Sequence, residues 1–151
     1  MKTGFLCLCC CALLASVLGC GGDDSGGSTA LSFTDLGDGT VKDNLTGLLW
    51  QQEDDDTQRI WIQAGQYCQD LDLAGSADWR LPELAELRSI VDPANFNPAI
   101  QTDFFPGTKP KAYWSTTQYE AYADYSWYVH FGDGSEHFAS RTSLYYGRCV
   151  R

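Results

Sequence analysis

The positions of the cysteines constrain the fold of this chain more than any other feature of its sequence. The chain has 151 residues and seven cysteines. Most of them fall near the N-terminus, at Cys7, Cys9, Cys10, Cys11 and Cys20. Only Cys68 and Cys149 lie beyond that stretch. If the chain is exported, two such cysteines most simply form one disulfide, and the alternative is two separate buried thiols.

The N-terminal stretch has the pattern of an export signal. Lys2 precedes an uncharged apolar run from Phe5 to Leu18, which is shorter than the roughly 20 residues of a membrane-spanning helix. The run ends in Val-Leu-Gly-Cys at Cys20, which resembles the lipobox of bacterial lipoproteins. That resemblance implies cleavage after Gly19 and a lipid on Cys20. The alternative is an ordinary signal peptide that happens to contain a cysteine.

The stretch after Cys20 separates the leader from the rest of the chain. Gly21 to Ala30 is rich in glycine and serine, which is typical of a flexible tether. We therefore expect a lipoprotein signal peptide over residues 1–19, an acylated cysteine and tether over 20–31, and one folded domain over 32–151. Gly21 after the lipidated cysteine favours the outer membrane if the cell is Gram-negative. Membrane attachment is expected through this lipid, because multiple acyl chains anchor a protein stably.

The charge of the chain limits its partners. Its formal net charge is −10, so we expect no nucleic-acid partner. The first part of the domain, Phe33 to Gln51, alternates short apolar pieces with aspartate and glycine, which predicts a β-meander. Asp35, Asp38 and Asp43 do not have the spacing of an EF-hand calcium loop. No cofactor is expected.

Two helices are predicted in the middle of the chain. Apolar residues recur at helical spacing at Ile60, Ala64, Tyr67, Cys68 and Leu71. Gly75 is the expected end of this helix, and the acidic run Glu53–Gln58 is interpreted as a solvated loop at its start. A second helix follows Pro82, with Leu84, Leu87 and Val91 facing inward.

The segments around this second helix are also informative. Trp79 and Leu81 should cover its start, and Arg80 is interpreted as pairing with a carboxylate, a ligand contact being the alternative. A long loop rich in proline is expected before residue 112. Trp127 to Phe131 alternates as a strand, and the turn at residues 132–134 leads to a hairpin partner. Helices bracketed by short strands indicate the α+β class.

Several segments in the same order resemble one known family. They are DLGDGTVKDNLTGLLWQ, YCQDLDLAGSADWRLPELAELRSIVD, YWSTTQY, SWYVHFGDG and the closing RCVR. The chain from Phe33 to Arg151 resembles the Lcl C-terminal domain family, named from a bacterial collagen-like adhesin. The resemblance implies a C-type-lectin-like fold with two helices, short antiparallel strands, a long loop region and one core disulfide. It also implies that this disulfide joins the first helix to the last strand, where Cys68 and Cys149 lie.

The family's adhesin is associated with sulfated polysaccharides and attachment, and this chain departs from it in two ways. It has a short tether instead of a collagen stalk, and it is acidic, whereas a sulfated glycan needs basic residues. The residues that offer a basic patch are Lys109, Lys111, Arg141, Arg148 and Arg151. The Glu-Pro-Asn and Trp-Asn-Asp motifs of calcium-dependent lectins are absent from the sequence. A structural ion in the acidic loops stays an open alternative.

Aromatic residues are concentrated between Tyr113 and Tyr128. Aromatic rings suit binding surfaces, because they combine an apolar body with a polar tip. We predict ligand contacts at Tyr119, Tyr122 and Tyr125. The alternative interpretation places Trp114 and Trp127 in the core and the tyrosines along the edge of a loop.

The functional hypothesis is a bacterial cell-envelope lipoprotein that displays a C-type-lectin-like module for glycan or protein ligands. The alternatives are a structural envelope protein and an enzyme. We expect no enzyme, because the two domain cysteines are committed to a bridge and no Gly-x-Ser-x-Gly motif is present. His130 and His137 flank one turn and are expected at the surface. The sequence makes no prediction about oligomeric state.

Overall fold

The computed structural model describes residues 33–151. The predicted signal peptide, Cys20 and the tether lie outside the described residues. Within these residues the fold is α+β, as predicted, with two short helices and two antiparallel three-stranded sheets. Neither helix is long and apolar enough to cross a membrane. The elements are β1 (Phe33–Asp35), β2 (Thr40–Asp43), β3 (Leu49–Gln51), α1 (Trp61–Gln69), α2 (Leu84–Ser89), β4 (Ala112–Gln118), β5 (Tyr125–His130) and β6 (Ser135–Ser140).

The first sheet is the predicted meander, in the order β1-β2-β3. Aspartate side chains build its turns. Asp35 accepts a hydrogen bond from the backbone N–H of Gly37 at 2.8 Å, and Asp43 accepts one from Leu45 at 2.8 Å. The aspartates that a calcium loop would use are therefore turn residues, which hydrogen-bond their own backbone two positions on.

Helix α1 is shorter than the sequence pattern predicts. Ala64 and Cys68 are buried as expected, but the helix ends at Gln69 and Asp70 is its C-terminal cap. Gly75, with φ +71°, lies in a separate turn that is closed by hydrogen bonds between Leu73 and Ser76. The predicted role of Gly75 as the end of the helix is thus wrong, because the positive φ serves this tight turn.

Helix α2 begins with a reciprocal cap. The Glu83 carboxylate accepts a hydrogen bond from the backbone of the first turn, and the Glu83 N–H donates one to the Glu86 carboxylate at 2.8 Å. Leu87 is fully buried. Arg80 donates two hydrogen bonds to Glu86, at 2.7 and 2.6 Å, which confirms its interpretation as a carboxylate partner. These hydrogen bonds lower the pKa of Glu86.

The second sheet has the order β4-β5-β6 and contains the predicted hairpin. Residues 132–134 form its turn, and Trp127 lies opposite Phe138. Successive side chains of β5 point to opposite sides of this sheet. Val129 therefore joins the core cluster that includes Leu87 of α2, while Trp114 of β4 joins a second cluster around Cys68 on the other side.

Residues 149–151, the C-terminal segment, join the two halves of the fold. Leu49 donates its N–H to the Arg151 carbonyl at 2.9 Å, so the segment pairs with β3. On its other side Val150 and Arg80 exchange two backbone hydrogen bonds, at 2.9 and 3.0 Å. A disulfide joins Cys149 to Cys68 of α1, with a Cα–Cα distance of 5.4 Å. The expected disulfide from the first helix is present. The expectation that its other end lies in the last strand is wrong, because Cys149 follows β6 in a segment that forms only isolated bridges, at Val150.

Removing this disulfide tests its contribution to stability. The bridge spans 81 positions, and restricting the unfolded chain over such a loop should contribute about 4 to 5 kcal/mol to the free energy of unfolding. We expect Cys68→Ala/Cys149→Ala to lower it by that amount in urea unfolding of the unacylated chain, which is residues 20–151 with Cys20→Ser. Reductant should have the same effect on the unmodified cysteines and none on the double variant. Equal urea midpoints with and without reductant would contradict the assignment.

Candidate ligand-binding face

Helix α2 covers only part of one side of the β4-β5-β6 sheet. It packs against β4 and β5, and its Leu87 shares the core with Val129. Its Arg88 is tied to Glu136 of β6 by an ion pair with an N–O distance of 2.8 Å. Beyond this pair the same side of the sheet continues without a covering helix, because α2 has only six residues.

Five aromatic residues occupy that uncovered side, and we call them the aromatic face. They are Tyr119, Tyr122, Tyr125, Trp127 and Phe138. The rings of Tyr119 and Phe138 stack with centroids 3.8 Å apart and an interplanar angle of 6°. Trp127 meets both of them edge-on, at 5.4 and 5.6 Å. The stacked pair therefore packs roughly perpendicular to the tryptophan ring, and Trp127 is half-buried.

The loop between β4 and β5 completes the aromatic face. Tyr122 lies 6.0 Å from Tyr119 and 5.4 Å from Tyr125, measured between ring centroids. Backbone hydrogen bonds close the loop: the N–H of Tyr119 donates to Tyr125 and the N–H of Tyr125 donates to Tyr122, at 3.0 and 3.1 Å. Tyr122 is 59% exposed and Phe138 is 42% exposed. The loop hydrogen bonds and the ring contacts thus fix the positions of large aromatic side chains at the protein surface.

The family assignment follows from a comparison with protein-family models. The model described as the Lcl C-terminal domain matches residues 39–151, most of the chain. The chain belongs to the Lcl C-terminal domain family. Membership suggests an adhesin-like protein of the bacterial cell surface. No match is found among curated proteins.

In this Lcl C-terminal domain the three predicted contact residues lie together. Tyr119, Tyr122 and Tyr125 share the aromatic face, and their role in binding stays a prediction. Sequence reasoning missed Trp127 and Phe138 as members. The alternative interpretation places Trp114 and Trp127 in the core. Of these two, Trp114 is fully buried and Trp127 is half-buried. The period-two step from Tyr125 to Trp127 was the available signal, since it places both rings on one side of the strand.

Three residues of the expected basic patch have partners within the Lcl C-terminal domain. Lys109 pairs with Asp56 at 3.2 Å and Arg151 with Asp78 at 3.4 Å. The guanidinium of Arg141 lies over the ring of Trp61, 4.1 Å from its centroid. These three charges are therefore engaged with neighbours, which disfavours their use as a patch for a sulfated glycan.

Arg148, the next member of the expected patch, is fully buried. Its Nη2 lies 3.4 Å from Asp54 and donates to Thr108 at 2.8 Å. Tyr113 donates its hydroxyl to the same Asp54 carboxylate at 2.7 Å, and burial raises the pKa of Tyr113. The expectation that Asp54 lies in a solvated run is wrong, because its side chain is 3% exposed and faces Arg148.

Apart from Asp54, the acidic run before α1 is exposed, as expected of a solvated loop. It is not the start of the helix, which begins at Trp61 with no acidic residue in its first turn. Asp55 forms an ion pair with Arg59, which lowers the pKa of Asp55. A polar cleft of about 650 Å³ lies beside α1. The aromatic residue that lines this cleft is Tyr67, and the Arg59 guanidinium covers its ring, 4.3 Å from the ring centroid. The cleft therefore offers less uncovered aromatic surface than the aromatic face.

The histidines of the hairpin lie at the surface without forming a matched pair. His137 lies opposite Tyr128, and His130 lies opposite Ser135. The backbone N–H of Gly132 donates to His130 Nδ1 at 3.2 Å. Across residues 33–151, no three His, Cys, Asp or Glu side chains are grouped as a metal site requires.

Substitutions of Asp54 and Asp56 compare the contribution of a buried ion pair to stability with that of an exposed one. Asp54→Asn should lower the free energy of unfolding by about 3 kcal/mol, because Arg148 would keep a buried charge without a carboxylate. The matched control is Asp56→Asn, whose side chain is 62% exposed, and it should change stability by less than about 0.5 kcal/mol. Urea unfolding measures both. Equal effects of the two variants would contradict the structural role of the buried pair.

Proposed function

We propose that this protein is a lipid-anchored module of the bacterial cell envelope that attaches to a glycan through the aromatic face. The observation that carries the proposal is the ordered display of five rings on the part of one sheet side that α2 leaves uncovered. Tyr122 and Phe138 are the most exposed of them. The proposal assigns no reaction to the protein.

The exposure of these rings favours a binding role over a structural one. Large contiguous apolar surface is uncommon on soluble domains and marks interaction sites. The apolar C–H face of a sugar ring can stack on an aromatic ring, and tyrosine hydroxyls remain free to hydrogen-bond the sugar's polar groups. Apart from the stacked Tyr119–Phe138 pair, neighbouring ring centroids on the aromatic face are 5.4 to 6.3 Å apart, a spacing comparable to the size of one pyranose.

The rest of the fold suits the display of this surface. We infer a C-type-lectin-like architecture, supported by the disulfide from α1 to the C-terminal segment and by the long connection between α2 and β4. We propose that Cys20 carries the lipid and that the glycine-rich stretch before Phe33 is the tether. In a Gram-negative cell, Gly21 favours anchoring to the outer membrane.

Binding of the unacylated chain to a glycan array tests this function. We expect Tyr122→Ala/Phe138→Ser to weaken binding by at least about tenfold, because two exposed rings each lose a stacking contact. The matched control is Phe96→Ala. It removes an aromatic ring that is 71% exposed and not part of the aromatic face, and it should bind as the unmodified chain does.

Circular dichroism should show that both variants keep the fold. If the unmodified chain binds no glycan, or if the double variant binds as tightly as the Phe96→Ala control, the proposed function is wrong. A protein ligand or a purely structural envelope role then becomes the better account.

A further inference from the structure

We propose that the aromatic face selects a positively charged glycan, specifically a polymer of amino sugars with free amines. This inference rests on the proposed function and adds the chemical class of the ligand. The inference follows from the carboxylates in the loop beside the rings and from the positions of the nearby arginine side chains.

The loop that carries Tyr122 also carries two carboxylates. Glu120 and Asp124 are both exposed, and neither takes part in an ion pair within residues 33–151. The hydrogen bond from Tyr119 to Tyr125 closes this loop at 3.0 Å. Both carboxylates are therefore held in the same short loop as Tyr122, the most exposed ring of the aromatic face.

The nearby cations do not offset these carboxylates. Arg141 is directed to the other side of the sheet, where its Nε donates to Ser126 at 2.8 Å and its guanidinium covers Trp61. Ser126 alternates with Tyr125 and Trp127 along β5, so it points away from the aromatic face. Arg88 does lie on the ring side, but its charge is matched by Glu136.

A cationic ligand gains from both features of this surface. The faces of aromatic rings carry negative electrostatic potential and attract cations, and uncompensated carboxylates beside them add to that attraction. A sulfated polysaccharide would meet like charge at the same place. A polymer of amino sugars combines rings that can stack with amines that carry positive charge, whereas a lysine-rich peptide supplies only the charge.

The experiment compares two oligosaccharides of equal length, glucosamine and N-acetylglucosamine oligomers, which differ in their free amines. Calorimetry with the unacylated chain is done at mildly acidic pH, where those amines are protonated. We expect the glucosamine oligomer to bind about tenfold more tightly at low salt, since exposed charges and ring faces each add a small attraction. Added salt should reduce this advantage, because exposed charges are screened.

The charge variant Glu120→Gln/Asp124→Asn should lose the preference and keep its affinity for the acetylated oligomer. Its control, Glu53→Gln/Asp103→Asn, removes the same charge from exposed positions outside the β4–β5 loop and should keep the preference. Equal affinity for both oligomers, or a preference that survives in the first variant, would overturn the inference. So would binding to a lysine-rich peptide but not to the glucosamine oligomer.

These results separate the inference from the proposed function. If neither oligomer binds but the array shows another glycan bound through Tyr122 and Phe138, the inference fails and the function stands. If no glycan binds, both fail.

Discussion

The pairing of the C-terminal segment on both of its edges is the constraint on which the rest of the structure depends. Through Cys149 and Arg151 it extends the meander beside β3, and through Val150 it pairs with Arg80 just before α2. The disulfide to Cys68 adds α1 to the same place. A chain with only short strands and two short helices gains little stability from local structure. Long-range pairing of this kind therefore provides much of the free energy that stabilises the fold.

This closure explains how the domain can leave part of one side of a sheet uncovered. The buried residues on both sides of β4 and β5 form two clusters that meet at the C-terminal segment, one through Val150 and the other through Cys149. The sheet is therefore stabilised by the cluster around Cys68 on one side and by α2 on part of the other side. The remaining part of that second side, which carries the aromatic face, needs no helix packed against it. The rings of that face pack on one another and on Trp127, and Tyr122 and Phe138 remain exposed.

Much of this fold could be predicted from sequence, where the signals are local or covalent. The β5–β6 hairpin follows from alternation and a Gly-Asp-Gly turn, and the bridge follows from the scarcity of cysteines in the domain. The errors arise where a distant partner decides. Asp54 sits in a run of acidic residues that looks solvated, but its partner Arg148 is 94 positions away. Phe138 belongs to the candidate site only because the hairpin register places it opposite Trp127.

Hydrogen exchange of backbone amides under native conditions tests most directly whether the C-terminal segment makes the domain one cooperative unit. The amides of Leu49 and Val150 report on this segment, and those of Trp114 and Phe131, which donate to Tyr146 and Lys111, report on the second sheet. The account predicts one shared free energy of opening for all four, close to that of global unfolding. Fast exchange at Leu49 and Val150, with Trp114 and Phe131 still protected, would show that the second sheet persists when the C-terminal segment is unpaired. That result would contradict the account.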